Sequence, residues 1–446
     1  MNKTSKVKGA LEILLVIGLI LVIPLFFAIK TAADKQEAKN TPMPLTPTAM
    51  ATFESNAVTT AKQPPACAFP LAQTTTAEAV PEEYIFSEPQ VVLTAAKGNV
   101  YNIVEWLPDS QQVLMTEDLR NNFVSKNDNA PQQSISLYNP ETGESKVYAI
   151  RTEGNEPPAW QPDWNAVVYP AMNYTSIDKK NAAYKFTRQL WVSYGDPDSA
   201  QLLADNLTQL LFAMKPGRSE MMYLSDKQIS RLDKSLKKLP SAPFDLNQWD
   251  YKERRNKALI PYHMAWQPGT SLIFLYSNGH SERGGYTFIL DTDTGHVCEL
   301  DLVGWATVAR WSSDGRYLAV GRATKSHPSD LTLLDTATGN LTTLGNAPQG
   351  MDGQFYVSDF IWAPDNRHLL AIGVILPQNN SNENTQGLYL VDFVSGQNVY
   401  VADYKSIVSY ESNNWAWSPD GSKLLMRCPT HVVDRICLIS VHQTGQ

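Results

Sequence analysis

The sequence predicts an all-β chain folded as a seven-bladed β-propeller of four-stranded antiparallel blades, and three observations carry that expectation. First, a Trp-centred turn recurs: "WLPDS" at 106–110, "WQPDW" at 160–164, "WQPGT" at 266–270, "WSSDG" at 311–315, "WAPDN" at 362–366 and "WSPDG" at 417–421. Second, the gaps are 45 to 55 residues except from Trp160 to Trp266, and midway through that long gap "FAMKPGRSEMMYL" opens a worn copy at Phe212. Third, every copy opens the same order of apolar runs and turns. A fixed period of this length marks a stacked architecture.

Within a period the elements follow in order. The residues before each anchor, such as "YVSDFIW" and "GWATVARW", form a first strand. A Pro-Asp-Gly-like turn comes next, in which Pro presets φ and the Asp side chain caps nearby backbone N–H groups. Apolar runs such as "YLAVG", "HLLAIGV" and "KLLMRC" form a second strand. A third closes on a Gly turn, as in "LTLLDTATGN", "TFILDTDTGH" and "LYLVDFVSGQ", and "NLTTL", "HVCEL" and "QNVYV" form the fourth. Four short strands per period describe a propeller blade. The anchors Trp106, Trp160, Phe212, Trp266, Trp311, Trp362 and Trp417 are therefore structural wedges between blades and not catalytic groups.

The Trp-Ser-Pro-Asp-Gly turn, matched best by 417–421 and 311–315 and partly by 362–366 and 160–163, resembles that of the TolB-type β-propeller family. The resemblance covers roughly 84–446 and implies the fold. Its members include periplasmic adaptors, regulatory domains of peptidases and membrane-anchored modules, so it implies no single function. Seven blades, against six in TolB itself, argue against an orthologue.

Ahead of the propeller, Ala10 to Ile29 is an apolar run with Glu12 as its only charge, about the length that crosses a bilayer core as a helix. It is read as an uncleaved transmembrane signal anchor, with 1–9 as a short cytoplasmic tail; a cleaved signal peptide is the competing reading. Lys3, Lys6 and Lys8 before the span are matched by Lys30, Lys35 and Lys39 after it, so charge does not set the orientation. A lone N-terminal span ahead of a large body is the usual way to export and tether that body, which places the propeller on the extracytoplasmic side of the cell membrane. Residues 30–83, rich in Pro, Thr, Ala and Gln, read as a disordered linker, with Cys67 too far from the apolar run to be a lipoprotein cysteine.

The sequence shows no Gly-x-Ser-x-Gly elbow, Walker loop, Gly-x-Gly-x-x-Gly or His-Glu-x-x-His motif. No catalytic residue, cofactor or metal site is indicated. A net charge of −8 argues against nucleic acid as a partner. Tight turns fall on one face of the ring, and long insertions at 117–134, 171–187, 240–258 and 377–386 fall on the other. Binding surfaces are loops on a rigid scaffold, so the long-loop face is expected to be functional. Two groups of residues are candidates there. His263, Asp359 and Asn414 each stand three residues before an anchor and are expected to line the central channel. Between Lys227 and Lys257 nine basic residues face four acidic ones, with Trp249, Lys252, Arg254 and Arg255 at the heart of this island. It either meets an anionic polymer or acidic protein patch, or is a solvated loop.

Two further expectations concern the end of the chain. Blade 7 stops at "HQTGQ" without an outer strand, and "EYIFSEPQVVL" at 83–93 is expected to cover that edge. Cys428 and Cys437 are expected to form a disulfide in a register that sets them directly opposite each other. The functional expectation is a membrane-tethered scaffold that binds an envelope protein or cell-wall polymer. The alternative is a propeller enzyme, a glycan hydrolase or lyase, with polar groups at the central funnel.

Overall fold

The computed structural model describes residues 65–72, 83–96, 99–119, 132–152, 156–178, 183–207, 210–215, 220–225, 228–240, 261–281, 284–302, 305–323, 330–344, 354–376, 385–403, 415–428 and 435–444. Ala10–Ile29 lies outside them, and among the described residues no helix is long and apolar enough to cross a membrane.

The described residues form seven antiparallel sheets, six of four strands and one of five. The blades span 100–152, 159–207, 211–239, 261–300, 305–344, 354–403 and 415–444. Each inner strand contacts those of the blades before and after it, and that of blade 7 contacts that of blade 1, so the ring is closed. The apolar core is divided into seven buried clusters, each shared by two neighbouring blades. The reason is geometric: a radial sheet has an apolar side chain on both faces, and only the next blade can cover each.

Closure follows the expected exchange of termini. Glu83–Phe86 pairs antiparallel with 441–444, and Gln90–Thr94 with 435–438, both along the outer edge of blade 7. Tyr84 packs edge-on against Trp417 at 5.2 Å between ring centroids.

The anchors do more than fill space. Trp106 Nε1 donates to Ala416 O at 2.8 Å, Trp311 to Ala265 O at 3.0 Å and Trp362 to Arg310 O at 3.0 Å. Each acceptor immediately precedes the anchor of the preceding blade, so the indole N–H latches one blade to the next. Beneath the anchors the turn Asp residues work as expected: Asp109, Asp314, Asp365 and Asp420 accept from the backbone N–H groups of Gln111, Arg316, Arg367 and Ser422. Gly315 stands at φ +74° with the Pro268 carbonyl of blade 4 only 2.8 Å from where a Cβ would sit, so neighbouring turns touch through a bare backbone.

Three sequence expectations need correction. The blade 3 anchor is not Phe212 but Met214: the turn-closing bond from the residue after the anchor runs from Lys215 N to Glu220 O, as it runs from Ser418 N to Lys423 O in blade 7. Lys-Pro-Gly thus aligns with Ser-Pro-Asp, two residues along. Cys428 and Cys437 are bonded, with Cα atoms 4.9 Å apart, but not directly opposite: Met426 faces Cys437, and Cys428 N bonds Arg435 O. Finally, residues 65–72, within the stretch read as a disordered linker, lie against blades 4 and 5, where Cys67 is bonded to Cys298.

Candidate functional site

The two ends of the blades are built differently. At the Trp-turn end, short turns are tied to each other. Arg316 pairs with Asp335 and Arg367 with Asp392, joining the first turn of a blade to its third at 3.2 and 2.7 Å. Ser313 N–H donates to Asn366 Oδ1 across blades 5 and 6, and Gln267 Nε2 to Gly315 O across blades 4 and 5. Lys423 of blade 7 reaches Glu141 of blade 1 at 2.7 Å. Burial raises the Asp392 carboxyl, but the Arg367 and Ser395 hydrogen bonds outweigh it and hold the group well below the usual carboxylate range.

The opposite end holds a polar rim across blades 7, 1 and 2. Arg427 donates to Tyr101 O at 2.9 Å and Asn102 Oδ1 at 2.6 Å. Asn99 donates to Glu117 at 2.8 Å, and burial together with the Glu117 charge pushes the Tyr101 phenol up to about 12. From Asp118 the chain of bonds runs through Gln133 at 2.6 Å to Arg151, which is 4% exposed and donates onward to Pro170 O at 2.7 Å and Glu156 O at 3.1 Å. Burial raises the Glu156 carboxyl despite Arg188 beside it at 3.7 Å. A buried guanidinium with this many acceptors fixes the base of two blades. Residues 171–178 and 183–187 of the insertion belong to two long paired strands, Ala166–Asp178 against Ala183–Ser193, which extend blade 2 on this face.

The inner strands carry the candidate channel residues His263 and Asp359. His263 Nε2 lies 3.1 Å from Ala309 O of blade 5, and burial holds its imidazole below the ordinary value. Asp359, buried, accepts from Trp415 Nε1 of blade 7 at 2.7 Å and from Arg310 of blade 5 at 3.3 Å. Both bind neighbouring blades through their polar atoms. Exposure instead belongs to the residue before them: Tyr262, 57% exposed, and Ser358. Each sits where the inner-strand register slips by one residue, so a β-bulge turns it out of the ladder. Tyr262 lies at the long-loop end of its strand. Period counting cannot find a bulge, so the exposed residue of each strand stands one position before the one the period singles out.

Glu105 stands on the inner strand of blade 1 and accepts from Trp160 N at 2.6 Å, bonding blade 1 to blade 2 through a side chain. Burial pushes its carboxyl up to about 7, though the Trp160 bond opposes this. Among the described residues no three His, Cys, Asp or Glu side chains converge as metal ligands would. Asn414, Trp249, Lys252, Arg254 and Arg255 lie outside the described residues.

By sequence, no family model matches the chain and no curated protein matches it. Solved structures that it is similar to are propellers of low identity. The β-propeller domain of Cps50 (Swd1) from Myceliophteria thermophila is 12% identical, with a TM-score of 0.49 over 80% of this chain and 100% of that one. An oligogalacturonate lyase from Vibrio parahaemolyticus is 11% identical, with a TM-score of 0.49 over 81% and 97%. TolB from Acinetobacter baumannii is 12% identical, with a TM-score of 0.35 over 72% and 81%. The β-propeller assignment of this chain rests on its own strands, their pairing and the closed inner ring.

Proposed function

We propose that the protein is a membrane-tethered, extracytoplasmic propeller that acts as a binding scaffold and engages an envelope protein or cell-wall polymer through its long-loop face. The difference between the two faces carries this reading. At the Trp-turn end ion pairs tie short turns to each other, whereas the other end combines a polar rim with a long paired extension of blade 2 and an exposed Tyr262. The basic island around Trp249, Lys252, Arg254 and Arg255 stands in the sequence between the last strand of blade 3 and the first of blade 4. Export is supported by the cysteines: all four in the chain are paired, Cys67 with Cys298 and Cys428 with Cys437, the state that persists in an oxidising compartment. The apolar run 10–29 supplies the tether.

The test is capture of the full-length chain from cells after chemical cross-linking, with mass spectrometry of what is bound. An envelope protein or wall fragment retained by the wild type and lost on charge reversal of Lys252, Arg254 and Arg255 supports the reading. Retention of the same partners by the reversed variant contradicts it.

A further inference from the structure

Residues 65–72 add to the outer strand of blade 4 as a parallel neighbour. Cys67 N–H donates to Glu299 O at 3.1 Å, and Glu299 N–H donates to Pro65 O at 2.9 Å. The segment then crosses to blade 5, where Leu71 N–H donates to Thr336 O at 3.0 Å. Phe69 lies over Gly339, which holds φ +80°; a Cβ there would stand 2.5 Å from the ring. The notch admits Phe69 only because position 339 has no side chain. Cys67, Phe69 and Leu71 all pack on the apolar cluster shared by blades 4 and 5.

What holds this segment is mostly covalent. Three backbone hydrogen bonds and three half-buried side chains are little return for ordering eight residues, and parallel pairing is the weaker kind. The Cys67–Cys298 bond joins positions 231 apart and supplies the constraint. The other disulfide lies inside one hairpin of blade 7, so opening it frees no segment.

We propose that residues 65–72 are a thiol-releasable strap: while the bond is intact they occupy the outer edge of blade 4, and reduction frees that edge to add an extended peptide with an aromatic side chain for the Gly339 notch. Such an edge is a ready template for strand addition. The release needs a dithiol reductant. Its thiolate attacks Cys67 Sγ, the more exposed sulfur, and Cys298 leaves as a thiolate that takes up a proton. The second thiol of the reductant then displaces Cys67, so two electrons pass to the protein and the reductant ends as a disulfide.

Amide hydrogen exchange on the full chain, wild type against Cys67→Ser, tests this directly. Glu299 is the reporter, because its N–H faces the strap and not the blade. The expected result is exchange at least about 100-fold faster at Glu299 and Leu71, with Phe274 and Ile289 on the middle strands of blade 4 unchanged. A displayed library of extended peptides, each with one aromatic residue, should yield a labelled peptide that binds the variant chain and not the oxidised wild type. Replacing that aromatic residue by Ala should weaken binding at least about tenfold. Continued protection of Glu299 in the variant overturns the proposal, as does loss of protection throughout blade 4, which would make the bond a simple brace. Equal binding of the peptide to the oxidised wild type, or no binding to a variant whose Glu299 is released, overturns it as well.

Discussion

The Trp-turn end and the long-loop end of the ring hold their carboxyl groups in different ways. At the first, hydrogen bonds overcome burial and keep Asp335, Asp365, Asp392 and Asp420 charged. At the second, burial raises the Glu156 carboxyl even with Arg188 beside it. The physical difference lies in partners. Tight turns offer backbone N–H groups and an Arg at fixed distance, and a carboxylate among donors stays ionised. Strands that run past the ring offer carbonyls and apolar neighbours, which stabilise no anion. One end is thereby locked by charge, and the other is left as a rigid platform from which longer segments project.

The largest effect is expected where both ends depend on the ring itself. Trp106 is buried, latches blade 1 to Ala416 of blade 7 and lies under Lys423 at 5.9 Å. Trp106→Ala should cost about 3 to 5 kcal/mol in denaturant unfolding.

Next comes Glu105, which joins blade 1 to blade 2 through a buried carboxyl. Its folded pKa of about 7 lies above the unfolded value near 4.5, so its contribution to stability is complete below about pH 4.5 and is lost as pH rises through 7. Glu105→Gln should match the wild type at pH 4 and exceed it by about 3 kcal/mol at pH 8, read from unfolding curves at the two pH values. A difference that does not change with pH would show that the carboxyl is not held neutral.

The charge lock has the reverse sign. Asp392 is depressed, so its contribution is present above the unfolded value of 3.8 and is lost as pH falls below it. Arg367→Met should cost about 1 to 3 kcal/mol at pH 7 and progressively less in acid, where the wild type loses the same bond. The smallest effect on stability belongs to the long-loop face: charge reversal of Lys252, Arg254 and Arg255 should shift it by less than about 0.5 kcal/mol.

Much of the ring was legible because its parts are local. A Trp, a Pro-Asp turn and an Asp-x-x-Thr-Gly turn fall within one blade, and their period gave the blade count and the closing segment at 83–93. Where the signal failed, the cause was non-local or irregular. Met214 hides as an anchor because a thioether fills the wedge that a Trp fills elsewhere, and Phe212 two residues away lies on the same side of the strand. The bulges at Tyr262 and Ser358 leave no mark in the period, so neither these exposed positions nor the inter-blade bonds of His263 and Asp359 could be read from it. The Cys67–Cys298 pair joins a Pro-rich stretch to an outer strand 231 residues on, and four cysteines allow three pairings. Only the folded ring brings those two together.

The claim that one face binds while the other is structural is tested most directly by a photo-cross-linking residue placed in the full-length chain in cells, at Tyr262 or at Val394. Both positions are exposed, at 57% and 64%, and they stand at opposite ends of the blades. The account predicts a discrete adduct from position 262 and none from 394. An adduct from 394 with none from 262 would contradict it.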